Sequence, residues 1–332
     1  MELKKTKIWK TLKKVKNERA KKKHYRSALK MPESNYEEYL IERYADFANR
    51  REYSKGQTLC FDNPNTFSQK MQWIKLYDQD DRKRLYTDKY LVRKYIAEVL
   101  GEHFLIPLIT LNGRETFDNF NDIDFSLLPN SFVIKCTHGS HMNIIVRDKR
   151  KLNSRDYRDI KNKLDKWLKI DYAFFVGLEL QYHNLQPKII IEQFLDEGAA
   201  SLTDYKFFCF SGKPTFVTII KNRGTNKYTE TTYDINFKKT QFSFGYYNEE
   251  NFIERPSQLD EMISLSKLLA QDFSVVRVDF FDVKGHIYFG ELTFSPGSGY
   301  EFPKPIEYDA ALSELIKIDN SKRDDNYRYR KK

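Results

Sequence analysis

Apolar residues recur along the chain with two different spacings. In the first third, spacings of three and four residues predict helices over about 34–50, 67–77 and 88–100, with Ser34 and Thr87 as the N-caps of the first and third. Further helices are predicted at 154–170, 258–273 and 310–318. From about residue 131 the pattern alternates, which predicts strands at 132–135, 144–146, 188–194, 205–210, 216–221, 229–233, 275–282 and 286–294. Antiparallel strands with flanking helices indicate an α+β fold.

The segment 275–299, VVRVDFFDVKGHIYFGELTFSPGSG, carries the most informative polar positions. Alternation turns the valines of its first strand to one face and Arg277 and Asp279 to the other. A three-residue turn at 284–286 would place Asp279 opposite Glu291 and Arg277 opposite Thr293. Two carboxylates about 5 Å apart repel each other unless a cation lies between them, and Mg²⁺ suits such a position. The alternative is a surface hairpin with an Arg277–Glu291 salt bridge, and a two-residue turn would send Glu291 to the other face.

Two other short motifs suggest chemistry. Lys135 ends a strand just before the polar loop THGSHMN (137–143), and a lysine beside free backbone N–H groups is one way to hold a polyphosphate. The two histidines of that loop are interpreted as loop residues, because no third metal ligand lies nearby in the sequence. Asp122-Ile123-Asp124 has the form of the DxD motif of glycosyltransferases and is kept as a minor alternative.

The charge of the chain is concentrated at one end. Of 332 residues, 57 are Lys or Arg and 47 are Asp or Glu, a net charge of +10. Residues 1–30 hold thirteen Lys or Arg and two Glu, so the rest of the chain is nearly neutral and a nucleic-acid partner is not expected. Ile8, Leu12 and Val15 form an apolar stripe in this arm, with Trp9 beside it, which suits either an anionic membrane surface or a solvated tail.

Cysteine usage and the lack of a secretory signal predict a cytoplasmic protein. The three cysteines are widely spaced and odd in number, and no apolar run reaches the length of a membrane span. The basic arm would then allow the protein to lie against the inner membrane face.

Several of these segments together resemble the TupA-like ATP-grasp family of bacterial surface-polysaccharide biosynthesis. The resemblance runs from about Phe67 to Ile316. Its carriers are TDKYLVRKYI (87–96), LPNSFVIKCTHGSHMNIIV (128–146), PKIIIEQFL (187–195), DYKFFCFSGKP (204–214), RVDFF (277–281) and GELTFSPGSG (290–299). Three features depart from the family pattern: Glu291-Leu292-Thr293 replaces Glu-x-Asn, the phosphate loop has a single glycine, and no α/β substrate domain precedes Lys89.

The resemblance implies an ATP-grasp fold, in which two α+β subdomains clasp ATP, with a helical N-terminal extension. The expected division is a basic amphipathic arm at 1–33, a helical N-terminal region at 34–130, a first subdomain at 131–195, a second subdomain with the metal-binding hairpin at 196–318, and a charged tail at 319–332.

The resemblance also assigns roles to individual residues. Lys89, on a helix, and Lys135 would contact the ATP phosphates. The expected ATP-contacting residues as a whole are Lys89, Lys135, His138, Gly139, Ser140, Glu192, Gln193, Phe194 and Leu195, with Asp196 or Glu197 at the ribose. The expected catalytic residues are Arg277 and Lys206, and the expected Mg²⁺ ligands are Asp279, Glu291 and Thr293.

The activity implied is an ATP-dependent carboxylate–amine ligase that works through an acyl phosphate. ATP and Mg²⁺ would be its cofactors, and a carboxylate- or sugar-containing acceptor, such as a cell-surface polysaccharide or its precursor, would be its substrate. Phosphoryl transfer to a glycan hydroxyl, glycosyl transfer and a degenerate, non-catalytic ATP-grasp module are the alternatives.

Overall fold

Two antiparallel sheets form the framework of the chain. The computed structural model describes residues 22–196, 198, 201–244 and 253–323. The first sheet has the strand order β1-β4-β2-β3, and the second has the order β7-β6-β5-β8-β9. Strands β1–β9 span Thr116–Phe117, Phe132–Cys136, Asn143–Val146, Ile189–Gln193, Asp204–Phe210, Lys213–Lys221, Thr229–Asp234, Val275–Val283 and His286–Thr293. The expected α+β fold is confirmed.

Helices precede, separate and follow the sheets. Helices α1–α7 span Tyr36–Ala48, Phe67–Tyr77, Asp81–Thr87, Val92–Val99, Ser154–Trp167, Leu259–Ala270 and Tyr308–Ala311. The region before β1 is helical, as expected, and residues 22–28 are helical as well. No helix in the described part of the chain is both long and apolar enough to cross a bilayer.

The apolar residues form two cores. In one, the inner face of the second sheet, with Val276, Val278 and Phe280 fully buried, packs on α6. The other joins α1, α2 and the first sheet to the residues after 300 and to part of the second sheet. Burial of this apolar surface, at about 25 cal/mol per Å², is what fixes the sheets relative to the helices.

Helix α2 is buried on nearly all sides and holds the segment that follows the second sheet. Every residue of α2 except Lys70 is buried. Its polar side chains bond to later parts of the chain: Gln72 Nε2 donates to Gly299 O at 2.6 Å, and Lys75 Nζ donates to Ser298 O at 2.9 Å. The SPGSG segment at 295–299 is therefore anchored by a helix from the N-terminal region.

Two of the expected helix starts are wrong. Ser34 lies in a 3₁₀ turn and makes no cap, because α1 begins at Tyr36. Thr87 is the last residue of α3, and the cap of the next helical segment is Asp88, whose Oδ1 accepts from the backbone N–H groups of Tyr90 and Leu91. Lys89 therefore lies in the turn before α4 and not on a helix.

The predicted pairing of the β8–β9 hairpin is confirmed, although its predicted turn is wrong. Asp279 faces Glu291 and Arg277 faces Thr293, but the turn has two residues, 284 and 285, both with positive φ. A β-bulge at Gly290 adds one residue to β9 and restores the register beyond it. The two-residue turn and the bulge together keep Glu291 on the polar face, whereas a two-residue turn alone was expected to send it to the other face.

The chain ends match the expected division less closely. Residues 22–30 are not a free arm: Ala28 is buried, His24 Nε2 lies 2.6 Å from Tyr39 Oη, and the Asp171 N–H donates to Tyr25 Oη at 2.9 Å. Strand β1 belongs to the first sheet although it precedes residue 131. The apolar stripe of the arm and residues 324–332 of the tail lie outside the described residues.

A side chain at Gly290 should destabilise the protein, because a Cβ there would lie 3.0 Å from the Asp279 carbonyl oxygen and 3.2 Å from Phe281 Cε2. We expect Gly290→Ala and Gly290→Val to lower the free energy of unfolding by increasing amounts within the range of about 1–3 kcal/mol. Urea denaturation measures both variants. Equal stability of the three proteins would show that the bulge tolerates side chains.

Candidate functional site

The candidate site is a cleft between the two sheets, with a volume of about 900 Å³. Its first wall comes from β2, β3 and β4, and its second wall comes from β5, β6, β8 and β9. Of the expected site residues, the cleft brings together Lys89, Lys135, Ser140, Glu192, Gln193, Phe194, Leu195, Asp196, Lys206, Arg277, Asp279, Glu291 and Thr293. Glu197 lies outside the described residues.

Register aligns the charged residues of the second wall in rows across three strands. Lys206 of β5 pairs with Asp279 of β8, which pairs with Glu291 of β9. Two residues along the strands, Arg277 faces Thr293 in the next row. Since side chains of every second residue share a face, both rows point into the cleft. A cation therefore lies beside an anion both along and across the strands.

Arg277 binds both carboxylates of the hairpin. Its Nε and Nη2 donate to the two oxygens of Asp279 at 2.6 and 2.7 Å, and Nη2 also lies 3.1 Å from Glu291 Oε1 and 3.0 Å from Thr293 Oγ1. Lys206 Nζ forms a further ion pair with Asp279. The Arg277–Glu291 salt bridge, proposed as the alternative to a metal site, is thus present in this structure.

The electrostatic balance favours ionised carboxylates at the hairpin. Burial alone would raise the pKa of Glu291, but the charges of Lys206, Arg277 and Lys89 outweigh it and lower that pKa to about 2. Arg277 is held fully protonated, because Asp279 and Glu291 raise its pKa in spite of burial. Glu291 is therefore anionic at neutral pH and available to cations.

The hairpin offers a donor set of the kind that Mg²⁺ prefers. Asp279, Glu291 and Thr293 supply two carboxylates and a hydroxyl, all oxygen donors, and Thr293 Oγ1 lies 3.0 Å from Glu291 Oε1. The described residues contain no cluster of three or more His, Cys, Asp or Glu side chains suited to a metal. The fit is therefore to an ion that completes its coordination with water and phosphate oxygens, as Mg²⁺ does.

The first wall presents two lysines. Lys135 Nζ lies 2.5 Å from Glu192 Oε2 on the neighbouring strand β4. Lys89 is fixed to the loop 137–143, since its backbone N–H donates to Thr137 O and its Nζ to Gly139 O. Burial lowers the pKa of Lys89, and Glu291 opposes that shift. Both ammonium groups thus reach the cleft from the side opposite Arg277.

The loop 137–143 contributes fewer side chains than expected. Ser140 lines the cleft, but the imidazole of His138 is buried under the loop, with Nε2 3.1 Å from Trp167 O. Gly139 allows close packing, because a Cβ there would lie 2.8 Å from Tyr172 Cδ2, and it takes part only through its carbonyl group. The assignment of the His138 side chain to ATP is wrong for this geometry. His141 lines the cleft instead.

Other residues that line the cleft were not predicted from the sequence. Arg147 lies over the Phe194 ring at 5.1 Å. Phe194 belongs to residues 192–196, which lead from the first sheet toward the second and are called the hinge below. Arg223 forms an ion pair with Asp204 at 2.7 Å. Both arginines follow strands that were predicted, so strand ends facing the cleft were a usable signal. Glu179 and Glu301 also line the cleft, and no motif or periodicity marks either residue.

The DxD triplet serves local structure. Asp122 forms a capping box with Asn119, and Asp124 Oδ1 accepts from the backbone N–H of Ser126 at 2.9 Å. Neither residue lines the cleft. The glycosyltransferase alternative therefore loses the only motif that supported it.

Comparisons with known proteins agree with this geometry. A family model described as TupA-like ATPgrasp matches residues 69–317, about three quarters of the chain. The chain belongs to the TupA-like ATP-grasp family, and the resemblance seen in the sequence is confirmed. The search of curated proteins found no statistically significant match.

Several solved structures are similar to this chain at low sequence identity. D-alanine–D-alanine ligase from Bacillus anthracis, in complex with ATP, is 15% identical, with a TM-score of 0.40 over 69% of this chain and 61% of that one. The Helicobacter pylori enzyme is 15% identical, with a TM-score of 0.40 over 76% and 66%. N5-carboxyaminoimidazole synthetase from Staphylococcus aureus is 10% identical, with a TM-score of 0.36 over 71% and 53%. This chain thus spans about half to two thirds of their lengths, and similarities this low carry no information about activity or substrate.

The low pKa of Glu291 should make the hairpin network sensitive to acid. Its stabilising contribution is fully present above the unfolded-state pKa near 4.5 and is lost as the pH falls through about 2. We expect the difference in unfolding free energy between wild type and Glu291→Gln to shrink between pH 5 and pH 2, as measured by urea titrations. Glu314→Gln removes an exposed carboxyl away from the network and serves as the control. An unchanged difference across this range would contradict the network.

Proposed function

We propose that this protein is an ATP-dependent carboxylate–amine ligase that works through an acyl phosphate. The observation that carries the proposal is the cleft itself, in which lysines from one wall face an arginine, a lysine and two carboxylates on the other. An ATP-grasp family member with this distribution of charge is suited to bind a nucleotide triphosphate and to stabilise a transferring phosphoryl group.

The hinge end of the cleft would hold the nucleoside. Glu192, Gln193, Phe194 and Leu195 run along it, with Asp196 placed for the ribose. Arg147, stacked on Phe194, closes the same end. From there the phosphates would extend toward Lys89 and Lys135, which are the cations nearest to the hinge strand β4 and the loop after β2.

Phosphate binding would replace ion pairs that exist within the cleft. Lys135 pairs with Glu192 and Lys206 pairs with Asp279, so each ammonium group already lies where an anion is stabilised. Phosphate oxygens would take over the two lysines and Arg277, which would free Asp279 and Glu291 as ligands. Mg²⁺ held by these carboxylates and Thr293 would neutralise charge on the phosphate chain.

Arg277 and Lys206 would orient and stabilise the phosphoryl group during transfer. A carboxylate oxygen of the acid substrate attacks the γ-phosphorus, ADP leaves, and an acyl phosphate forms. The acceptor, after its ammonium group loses a proton, attacks the acyl carbon as the free amine. Phosphate departs and the nitrogen releases a second proton as the amide bond forms.

The proposed substrates are a carboxylated sugar or amino acid and an amine, as part of a cell-surface polysaccharide or its precursor. Phosphoryl transfer to a glycan hydroxyl uses the same nucleotide site and remains the second candidate. The two reactions differ in the fate of the γ-phosphate, which is released by the ligase and retained on the product by the phosphotransferase.

Oxygen-18 labelling distinguishes the two reactions. Uronic and amino acids with ¹⁸O-labelled carboxylates are screened in pairs with amines, and we expect ADP release together with phosphate that carries one ¹⁸O atom. Asp279→Asn should reduce ADP release by about 100-fold or more, because it removes charge at the phosphoryl-transfer site. Unlabelled phosphate would exclude an acyl phosphate, and a phosphorylated glycan would establish the second candidate.

The basic arm is proposed to bring the enzyme to an anionic membrane surface, where each Lys or Arg contributes up to about 1 kcal/mol. Because residues 22–30 pack on the folded chain, the informative variant begins at Lys22. We expect it to keep the thermal midpoint and to lose co-sedimentation with phosphatidylserine vesicles at low salt. Vesicles of phosphatidylcholine alone are the control, and added salt should weaken the binding. Failure of the full chain to bind would refute this role.

A further inference from the structure

The end of the cleft away from the hinge has a different character. It is lined by Tyr172, Glu179, Tyr182, Ser298 and Glu301, which have no part in the nucleotide and metal roles described above. These residues line the same cleft as Arg277 and Glu291 of the hairpin. In agreement with that position, the charge of Glu291 raises the pKa values of Glu179, Tyr172 and Tyr182. A molecule bound here would lie beside the transferring group.

Glu179 is a buried acid that lacks a direct cationic partner. The residue is 6% exposed, and among the described residues its carboxyl forms no ion pair within 4 Å. Burial raises its pKa, and the more distant charge of Lys75 opposes that shift. Lys75 itself is directed elsewhere, because its Nζ donates to Ser298 O at 2.9 Å and lies 4.4 Å from the centre of the Tyr300 ring. The open side of the carboxyl faces the cleft.

Ser298 provides a second unsatisfied group at the same place. The residue is 4% exposed and lines the cleft, and its hydroxyl makes no hydrogen bond of standard geometry within the described residues. Its interaction with the neighbouring Glu179 carboxyl lowers the pKa of that group. Its backbone is left-handed, with φ of 56°, and α2 fixes it through Gln72 and Lys75. The hydroxyl is therefore held in a defined place and not left to solvent.

Glu301 adds a second carboxyl to this end of the cleft. It is half-buried, and its side chain covers Gly297, where a Cβ would lie 2.2 Å from Glu301 Cγ. Burial raises its pKa, while Arg277 opposes the shift. No ion pair within 4 Å involves Glu301 among the described residues. Two acids with raised pKa values thus border a space that the cations of the nucleotide end do not neutralise.

Leaving such groups unpaired costs free energy. A buried polar group without a partner destabilises by about 1–3 kcal/mol, and a buried charge by more. A primary ammonium group has three N–H donors and one positive charge, and it satisfies a carboxylate and a hydroxyl at once. An acceptor substrate that reacts through a hydroxyl group carries no positive charge, so two carboxyls would not be needed to bind it.

Resting on the proposed ligase function, we propose that Glu179 and Ser298 form an ammonium-binding subsite for the acceptor, with Glu301 at its border. The acceptor is thereby a molecule with a primary amine, which binds in its protonated form next to the phosphoryl-transfer site. The Tyr172 and Tyr182 rings, stacked edge to face at 4.8 Å, form the wall against which the rest of the acceptor lies.

The subsite can be tested without ATP and without the natural acceptor. The full chain is titrated with ethylammonium chloride at pH 8 and constant total chloride, and its thermal midpoint is recorded. We expect a saturable rise in the midpoint that ethanol and tetramethylammonium do not produce, because one lacks the charge and the other lacks N–H donors. No rise beyond that seen with sodium chloride would overturn the subsite.

Variants locate the effect. Glu179→Gln should raise the apparent Kd for ethylammonium about tenfold or more, the usual scale for losing a charge-assisted hydrogen bond, and Ser298→Ala about threefold. Glu314→Gln, which removes an exposed carboxyl elsewhere, should leave it unchanged. Equal binding by Glu179→Gln and wild type would overturn the assignment. If Glu179→Gln does not fold, Ser298→Ala and the pH measurement decide.

The pH dependence provides the independent measurement. The titratable groups that face Glu179 are Lys75 of α2, Glu291 of β9 and the phenols of Tyr172 and Tyr182. Raising the pH from 6 to 8 ionises Glu179 and discharges Lys75, and both changes favour a cation, whereas ethylammonium stays protonated. Binding should be tighter at pH 8, and much less pH-dependent in Glu179→Gln. Because no ATP is present, failure here leaves the isotope experiment intact, and failure of that experiment leaves ethylammonium binding intact.

Discussion

The need to pair buried charge on the polar face of the β8–β9 hairpin governs the rest of the structure. Arg277 and Asp279 are 9% and 3% exposed, so each would be a costly buried charge without a partner of opposite charge. Each is satisfied by residues on adjacent strands: Lys206 of β5 completes Asp279, and Glu291 and Thr293 of β9 complete Arg277. Breaking the register of either strand would leave a buried charge without its partner.

That register in turn depends on the apolar face of the same strands. Val276, Val278 and Phe280 are buried against α6, which fixes β8 and leaves the alternate residues to face the cleft. The bulge at Gly290 then places Glu291 beside Asp279 on the same face. Apolar burial therefore sets the positions, and electrostatics determines which residues those positions accept.

The alternation of side chains along the strands predicted which residues of the hairpin face the cleft. The pairing of Asp279 with Glu291 was obtained from a wrong turn because two one-residue differences cancel: the turn is one residue shorter than predicted, and the bulge at Gly290 adds one residue to β9. The compensating bulge was not predictable from spacing, although Gly290 within a strand was a usable signal. Lys89 was expected on a helix that starts after Thr87, but Thr87 ends α3 and α4 begins only at Val92, so Lys89 lies in the turn between them.

Residues outside regular elements were the least predictable. His138 and His141 differ by three positions in one loop, yet one is buried and the other lines the cleft, since the loop folds back on Trp167. Glu179 lies in an irregular segment between short 3₁₀ turns, where no periodicity indicates the direction of a side chain. The opposite charge that acts on it most, Lys75 of α2, comes from a distant part of the chain, which a local pattern does not contain.

The two ends of the cleft differ in how their charges are satisfied, and this difference orders the chemistry. Lys135 pairs with Glu192 on the first wall and Lys206 pairs with Asp279 at the hairpin, so a phosphate can replace either carboxylate without leaving the lysine unpaired. At the far end, Glu179 and Glu301 have no cation within ion-pair distance among the described residues, so an anion would be repelled and a cation favoured. Arg277 and Glu291, which are hydrogen-bonded to each other, lie between these two groups of charges. A negatively charged nucleotide and a positively charged acceptor are thus directed to opposite ends and meet at the hairpin.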